Sequence, residues 1–196
     1  MLGGTFDPVH IAHLATAVNV RAALDLDTVV LVVANVPWQK VGQRTVTPAE
    51  DRYAVVEAAV ADLDGVEASR LELDRGGESY MVDTVAELEQ LDPGVELYLI
   101  IGADVAAELH TWVRVDELRE RCTLAVVGRP GTPAAGADRN AVATPGWRRV
   151  DVDVPALDVS STDLRRRLAD GRPIDVLVPP AAVHEIKQRG LYARVR

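Results

Sequence analysis

Continuous apolar runs alternating with stretches of helical periodicity predict an α/β chain built around a parallel sheet. The run Thr28-Val29-Val30-Leu31-Val32-Val33-Ala34 and the apolar stretch within 96–101 show no polar alternation, as expected of strands covered on both faces. Between such runs, apolar residues recur every three or four positions. Strands and helices therefore alternate, and parallel pairing with crossover helices follows. The 196 residues contain no repeat and no linker long enough to divide them, so a single domain over 1–196 is expected. The implied architecture is a Rossmann-like, doubly wound sheet, with its ligand beyond the carboxyl ends of the strands.

The elements follow in order. Gly3-Gly4 reads as a tight turn, and Asp7-Pro8 as an N-cap and first helical position. Ile11, Leu14, Ala15, Val18 and Ala22 continue that helix. After the strand at 28–34, Thr47-Pro48-Ala49-Glu50 reads as a capping box opening a helix through Val55, Val56, Ala59 and Val60. Residues 66–73 read as a strand, 80–91 as a helix and 96–101 as a second buried strand. A helix at 115–121 leads to a strand at 123–127, and 131–146, rich in Pro, Gly and Ala, is the one long loop. A strand at 149–154 and helices at 161–169 and 180–189 complete the chain, the last closed by Gly190.

Composition excludes several function classes. An apolar fraction of 48% with 26% charged residues is globular, and no apolar run approaches the roughly 18 residues that span a bilayer. Met1-Leu2 runs straight into the glycines without a basic start or apolar stretch, so no signal peptide is expected and a cytoplasmic location follows. A single cysteine, Cys122, excludes an internal disulfide and a cysteine zinc site, and its flanks suggest a buried thiol. The net charge of −9 argues against nucleic acid and membrane as partners, while a small anionic substrate remains open if its pocket is locally basic.

Chemistry concentrates at the front of the chain. In Gly3-Gly4-Thr5-Phe6-Asp7-Pro8-Val9-His10-Ile11-Ala12-His13, a bare loop feeds a helix N-terminus, where free amides and the helix dipole favour phosphate. His10 and His13, three apart, share one helical face. A second cluster, Ser160-Ser161-Thr162-Asp163-Leu164-Arg165, gathers hydroxyls and amides at another helix start. Arg165, one turn in, can grip phosphate oxygens with its fork of donors, whereas Arg166 and Arg167 point elsewhere and should be solvated.

These two motifs together resemble those of the HxGH nucleotidyltransferase superfamily. Cytidylyltransferases, phosphopantetheine adenylyltransferases and pyridine-nucleotide adenylyltransferases all remain open on the motifs alone. The middle of the chain, with Pro37-Trp38-Gln39-Lys40, Ser79-Tyr80-Met81-Val82-Asp83-Thr84, Gly102-Ala103-Asp104 and Trp112, resembles the bacterial nicotinate-nucleotide adenylyltransferases. The resemblance runs from Leu2 to Tyr192 and implies a transferase of pyridine nucleotide biosynthesis. It would move AMP from ATP to nicotinate mononucleotide, with Mg²⁺ carried in by ATP and no dedicated metal site. It implies catalytic roles for His10, His13 and Arg165. Gly3, Gly4, Thr5, Phe6, His13, Gly102, Asp104, Ser160, Ser161, Thr162 and Arg165 would bind ATP. Lys40, Thr84 and Trp112 would bind the mononucleotide, Trp112 stacking on its ring and Thr84 meeting its carboxylate. Nicotinamide mononucleotide and phosphopantetheine are the neighbouring acceptors, and a non-catalytic nucleotide sensor is the alternative of another class.

The chain departs from that pattern in three places. Ala12 stands where the family usually has Gly, and Ala34-Asn35 replaces the more usual Pro and hydroxyl residue before Pro37. Only Met1 and Leu2 precede the glycines, so the first strand is expected to be truncated, or the natural start to lie upstream.

Overall fold

Successive residues of the central strands feed two different cores, which places helices on both faces of the sheet. Leu31 and Val33 join one core, and Val32 between them joins the other; Ile100 is divided in the same way from Leu99 and Ile101, and Ala125 from Leu124 and Val126. This alternation is the period-two geometry of a strand buried on both sides. The computed structural model describes residues 1–37, 45–128 and 144–193.

The strands are β1 (Leu2–Gly4), β2 (Val29–Val33), β3 (Val66–Ser69), β4 (Leu97–Gly102), β5 (Cys122–Val127) and β6 (Arg149–Val152). The helices are α1 (Ile11–Ala23), α2 (Ala49–Val60), α3 (Leu71–Arg75), α4 (Met81–Leu91), α5 (Ala103–Ala106), α6 (Val115–Arg121), α7 (Ser161–Ala169) and α8 (Pro180–Gln188). They form two parallel three-stranded sheets, β1-β2-β3 and β4-β5-β6. Met1 joins the two. Its ammonium donates to the Tyr98 carbonyl at 2.7 Å, and the Ile100 amide donates to the Met1 carbonyl at 2.9 Å. This is the slanted bond pair of a parallel bridge with Leu99 as the opposite residue. The strand order is then 3-2-1-4-5-6, with its switch point between β1 and β4.

Several boundaries differ from the sequence reading for identifiable reasons. The strand expected over 66–73 stops at Ser69, and Leu71–Arg75 turns into α3, which buries Glu72. Pro48, not Thr47, occupies the N-cap of α2, so the expected capping box does not form. The first strand spans Leu2–Gly4, and Met1 ahead of it is buried and bonded within the sheet. Most of the long loop at 131–146 lies outside the described residues.

Candidate active site

The glycine pair serves close approach rather than turning. A Cβ on Gly3 would lie 2.5 Å from the Met81 Cε, and one on Gly4 would lie 2.8 Å from the Phe6 ring. The turn expected at the glycines falls instead on Phe6, in the left-handed region with φ 47°. The helix expected to open at Asp7-Pro8 starts at Ile11, with His10 as its N-cap. Ala12 is half-buried in its first turn.

This later start brings the two histidines face to face. Their rings stack with centroids 3.7 Å apart, and Phe6 meets His13 edge-on at 5.0 Å. The His10 amide donates to His13 Nδ1 at 3.2 Å. In neutral His13 that bond puts the hydrogen on Nε2, making Nε2 the donor nitrogen of the ring.

The second motif closes onto the first across more than 150 residues of chain. Ser160 caps α7 by accepting the Asp163 amide at 3.2 Å. Ser161 Oγ donates to the Pro8 carbonyl at 2.8 Å, and Arg165 Nη1 donates to the Asp7 carbonyl at 2.7 Å. Arg165 Nη2 also donates to Thr162 Oγ1 at 3.2 Å, so guanidinium, hydroxyls and the loop before α1 form one corner. Arg166 and Arg167 are not simply solvated: each pairs with the Asp163 carboxylate at 2.5 Å, and their hydrogen bonds hold that carboxyl down at about 2.

Sequence reading does not single out Arg52, which is 1% exposed on α2. It donates to the carbonyls of Thr5 at 2.8 Å, Asn35 at 3.0 Å and Thr47 at 2.7 Å. One guanidinium thus ties the loops that leave β1 and β2 to the segment entering α2. Buried Asp7 accepts from the Tyr192 hydroxyl at 2.9 Å, and burial, then the Asp7 carboxylate, push that phenol well above its ordinary range. The available signal was positional: Arg52 precedes Val55 and Val56 by three and four residues and so lies on the apolar stripe of α2.

Beside this corner lies a cavity of about 340 Å³. Gly3, Gly4 and Thr5 form one wall, Ala34 and Pro37 follow from β2, and Leu99, Ile100 and Ile101 come from β4. Glu72, Ser79, Tyr80, Met81, Val105, Trp112 and Val113 close it. It sits at the switch point, where an open α/β sheet takes its ligand. Trp112 is half-buried and lines it. Thr84 does not line it. This threonine is fully buried, its hydroxyl donates to Glu72 Oε1 at 2.6 Å, and its amide donates to the Tyr80 carbonyl at 3.3 Å. From the start of α4 and the residue before it, Tyr80 and Met81 line the cavity. Gly102 caps α5 and Asp104 is exposed on it, outside the cavity wall. Lys40 lies outside the described residues. Among the described residues, no group of three or more His, Cys, Asp or Glu comes together as a metal site, and no helix is long and apolar enough to cross a membrane.

Comparison with known proteins agrees with this arrangement. The family model described as cytidylyltransferase-like matches residues 1–167. A probable nicotinate-nucleotide adenylyltransferase of Saccharopolyspora erythraea is 42% identical over 98% of this chain and 88% of its own length. The chain belongs to the nicotinate-nucleotide adenylyltransferases, within the cytidylyltransferase-like family. Another probable member, from Streptomyces coelicolor, is 42% identical over 97% of this chain and 98% of its own. Among solved structures, the nicotinic acid mononucleotide adenylyltransferase of Plasmodium falciparum complexed with NaAD superposes with a TM-score of 0.78 at 17% identity. That match covers 97% of this chain and 95% of the other, which establishes the shared Rossmann-like fold of this family.

Proposed function

We propose that this protein transfers the adenylyl group of ATP to the 5′-phosphate of nicotinate mononucleotide, a step of NAD biosynthesis. The products are nicotinate adenine dinucleotide and pyrophosphate. One observation carries the reading: the stacked His10–His13 pair and the α7 corner converge on one loop, beside a cavity walled by Trp112.

The attacking phosphate is already an anion, so the reaction needs no general base. Catalysis consists of holding phosphate and α-phosphorus in line and of stabilising charge as the bridge to the leaving group breaks. His13, with Nε2 as donor, and His10 stabilise oxygens on the α-phosphate. Arg165, with Ser160, Ser161 and Thr162, receives the β and γ phosphates, while Gly3, Gly4, Thr5 and Phe6 let the backbone approach the nucleotide. Gly102 and Asp104 bind the nucleoside of ATP, Asp104 through its ribose hydroxyls. ATP enters as its magnesium salt. Trp112 stacks on the acceptor ring, and Lys40 meets phosphate. Thr84 acts indirectly, through its bond to Glu72. The charge of −9 favours small substrates over nucleic acid, and the reaction belongs in the cytoplasm.

Incubation with Mg-ATP and, separately, nicotinate mononucleotide, nicotinamide mononucleotide or phosphopantetheine tests the reading through pyrophosphate release. Fastest release with the nicotinate acceptor is expected. Failure of all three acceptors would favour a nucleotide sensor and overturn the proposal.

A further inference from the structure

We infer that Glu72 is a specificity residue for the acceptor, one carboxylate oxygen serving as countercharge to the positively charged pyridinium ring. The inference rests on the acceptor class proposed above. Glu72 is 3% exposed, yet it lines the cavity. Its Oε1 accepts the Thr84 hydroxyl at 2.6 Å, and Arg75 Nη2 lies 3.9 Å from that same oxygen. Among the described residues no hydrogen bond takes Oε2. Oε2 is not among the buried atoms left without a partner, so it is the accessible oxygen of a carboxylate that lines the cavity, open to a ligand there.

The groups behind Glu72 leave its charge largely uncancelled. Arg75 is shared: its Nη1 pairs with Glu87 at 2.8 Å, and its Nη2 donates to Thr84 Oγ1 at 3.0 Å. Two carboxylates and one guanidinium leave a formal net charge of −1 beside the cavity. Tyr80 and Trp112 line the same space, and aromatic faces with a carboxylate are the chemistry that selects a flat cation. In a pyridine mononucleotide, the ring nitrogen bonded to ribose carries a positive charge, while the other end is an anionic phosphate. The molecule would therefore be oriented from both ends, its ring toward Glu72 and its phosphate toward the histidine and Arg165 corner.

The test compares nicotinamide mononucleotide with its 1,4-dihydro form, whose ring is neutral, on wild type and E72Q. E72Q keeps the acceptor oxygen that Thr84 needs, and its melting temperature reports whether the fold persists. Binding is read by tryptophan fluorescence and turnover by pyrophosphate release. Wild type should bind the cationic ring about tenfold more tightly than the neutral one, which corresponds to ~1.4 kcal/mol. E72Q should lose most of that preference and raise the acceptor KM, leaving the ATP KM unchanged. No ring-charge preference in wild type, a result independent of whether E72Q folds, would overturn the inference. An equal loss for both rings in E72Q would also overturn it, showing that Glu72 acts by supporting Thr84. Absence of turnover with every pyridine mononucleotide would instead overturn the reading of the site on which the inference rests.

Discussion

The histidine corner and the cavity at the switch point lie side by side but are built in opposite ways. The corner takes its chemistry from two compact motifs, 3–13 and 160–165, and fastens them with side-chain bonds to backbone: Ser161 to Pro8, Arg165 to Asp7. The cavity collects short groups of one to three residues from separate parts of the chain between Gly3 and Val113, and most of its wall is apolar. Phosphate recognition needs clustered donors and dipoles, which a loop entering a helix supplies locally. Recognition of a flat ring needs a concave, dry surface, which only packing can assemble. A lesion in the corner should therefore strike turnover, and one in the cavity should strike acceptor affinity alone.

Arg52, which anchors both loops, offers the strongest way to break that division. Arg52→Met keeps the bulk but removes the donors to three carbonyls, each costing roughly 1–3 kcal/mol when left unsatisfied. A loss on the order of 3–5 kcal/mol is expected in urea denaturation, and survivors should be impaired toward both substrates. An unchanged midpoint would show that water replaces the guanidinium.

The buried end of β1 comes next. Burial pushes the Met1 ammonium from 8.0 down to about 5. Above pH 8 neither state is charged; as the pH falls toward 5, only the unfolded chain takes the proton; below 5 the full penalty stands. A chain starting at Met1 should thus lose stability between pH 8 and 5, by roughly 4 kcal/mol at most. Adding about five apolar residues upstream moves the charge out of the sheet, so it should abolish this slope and raise the melting temperature, each buried side chain contributing roughly 1.5–3 kcal/mol. Coincident melting curves for the two chains would show that the added residues find no place in the sheet.

Within the corner, His13→Ala should lower kcat about a hundredfold or more, or about 2.7–4 kcal/mol of barrier, while ATP still binds. Full turnover would make the histidine structural. The smallest effect belongs to the cavity. Trp112→Ala should raise the acceptor KM by the fold-change of about 1–3 kcal/mol of lost stacking, with the ATP KM unchanged. An equal defect toward ATP would erase the proposed division of labour.

The contrast also explains what could be read in advance. The buried strands 28–34 and 96–101, the helices at 161–169 and 115–121 and the Ser160 cap were legible because each rests on local periodicity or capping chemistry. The pairing of His10 and His13 was legible from spacing, although the reading started their helix at Asp7-Pro8. That Thr84 is buried against Glu72 rather than lining the cavity was not legible, because helical phase relative to a cavity depends on how α4 packs. Glu72 was hidden for a related reason, since a strand was expected where the chain turns into α3.

By itself, then, the sequence determined the α/β layering and the two phosphate-directed motifs, because hydrophobic period, capping residues and glycine placement act over a few residues. Only the tertiary structure decided which side chains line the cavity, that Arg52 is buried against three carbonyls, and that the glycines serve Met81 and Phe6 rather than a turn. Those outcomes depend on burial and on partners dozens of residues away, where a carboxylate or guanidinium is placed by the packing around it and by no neighbour in the chain.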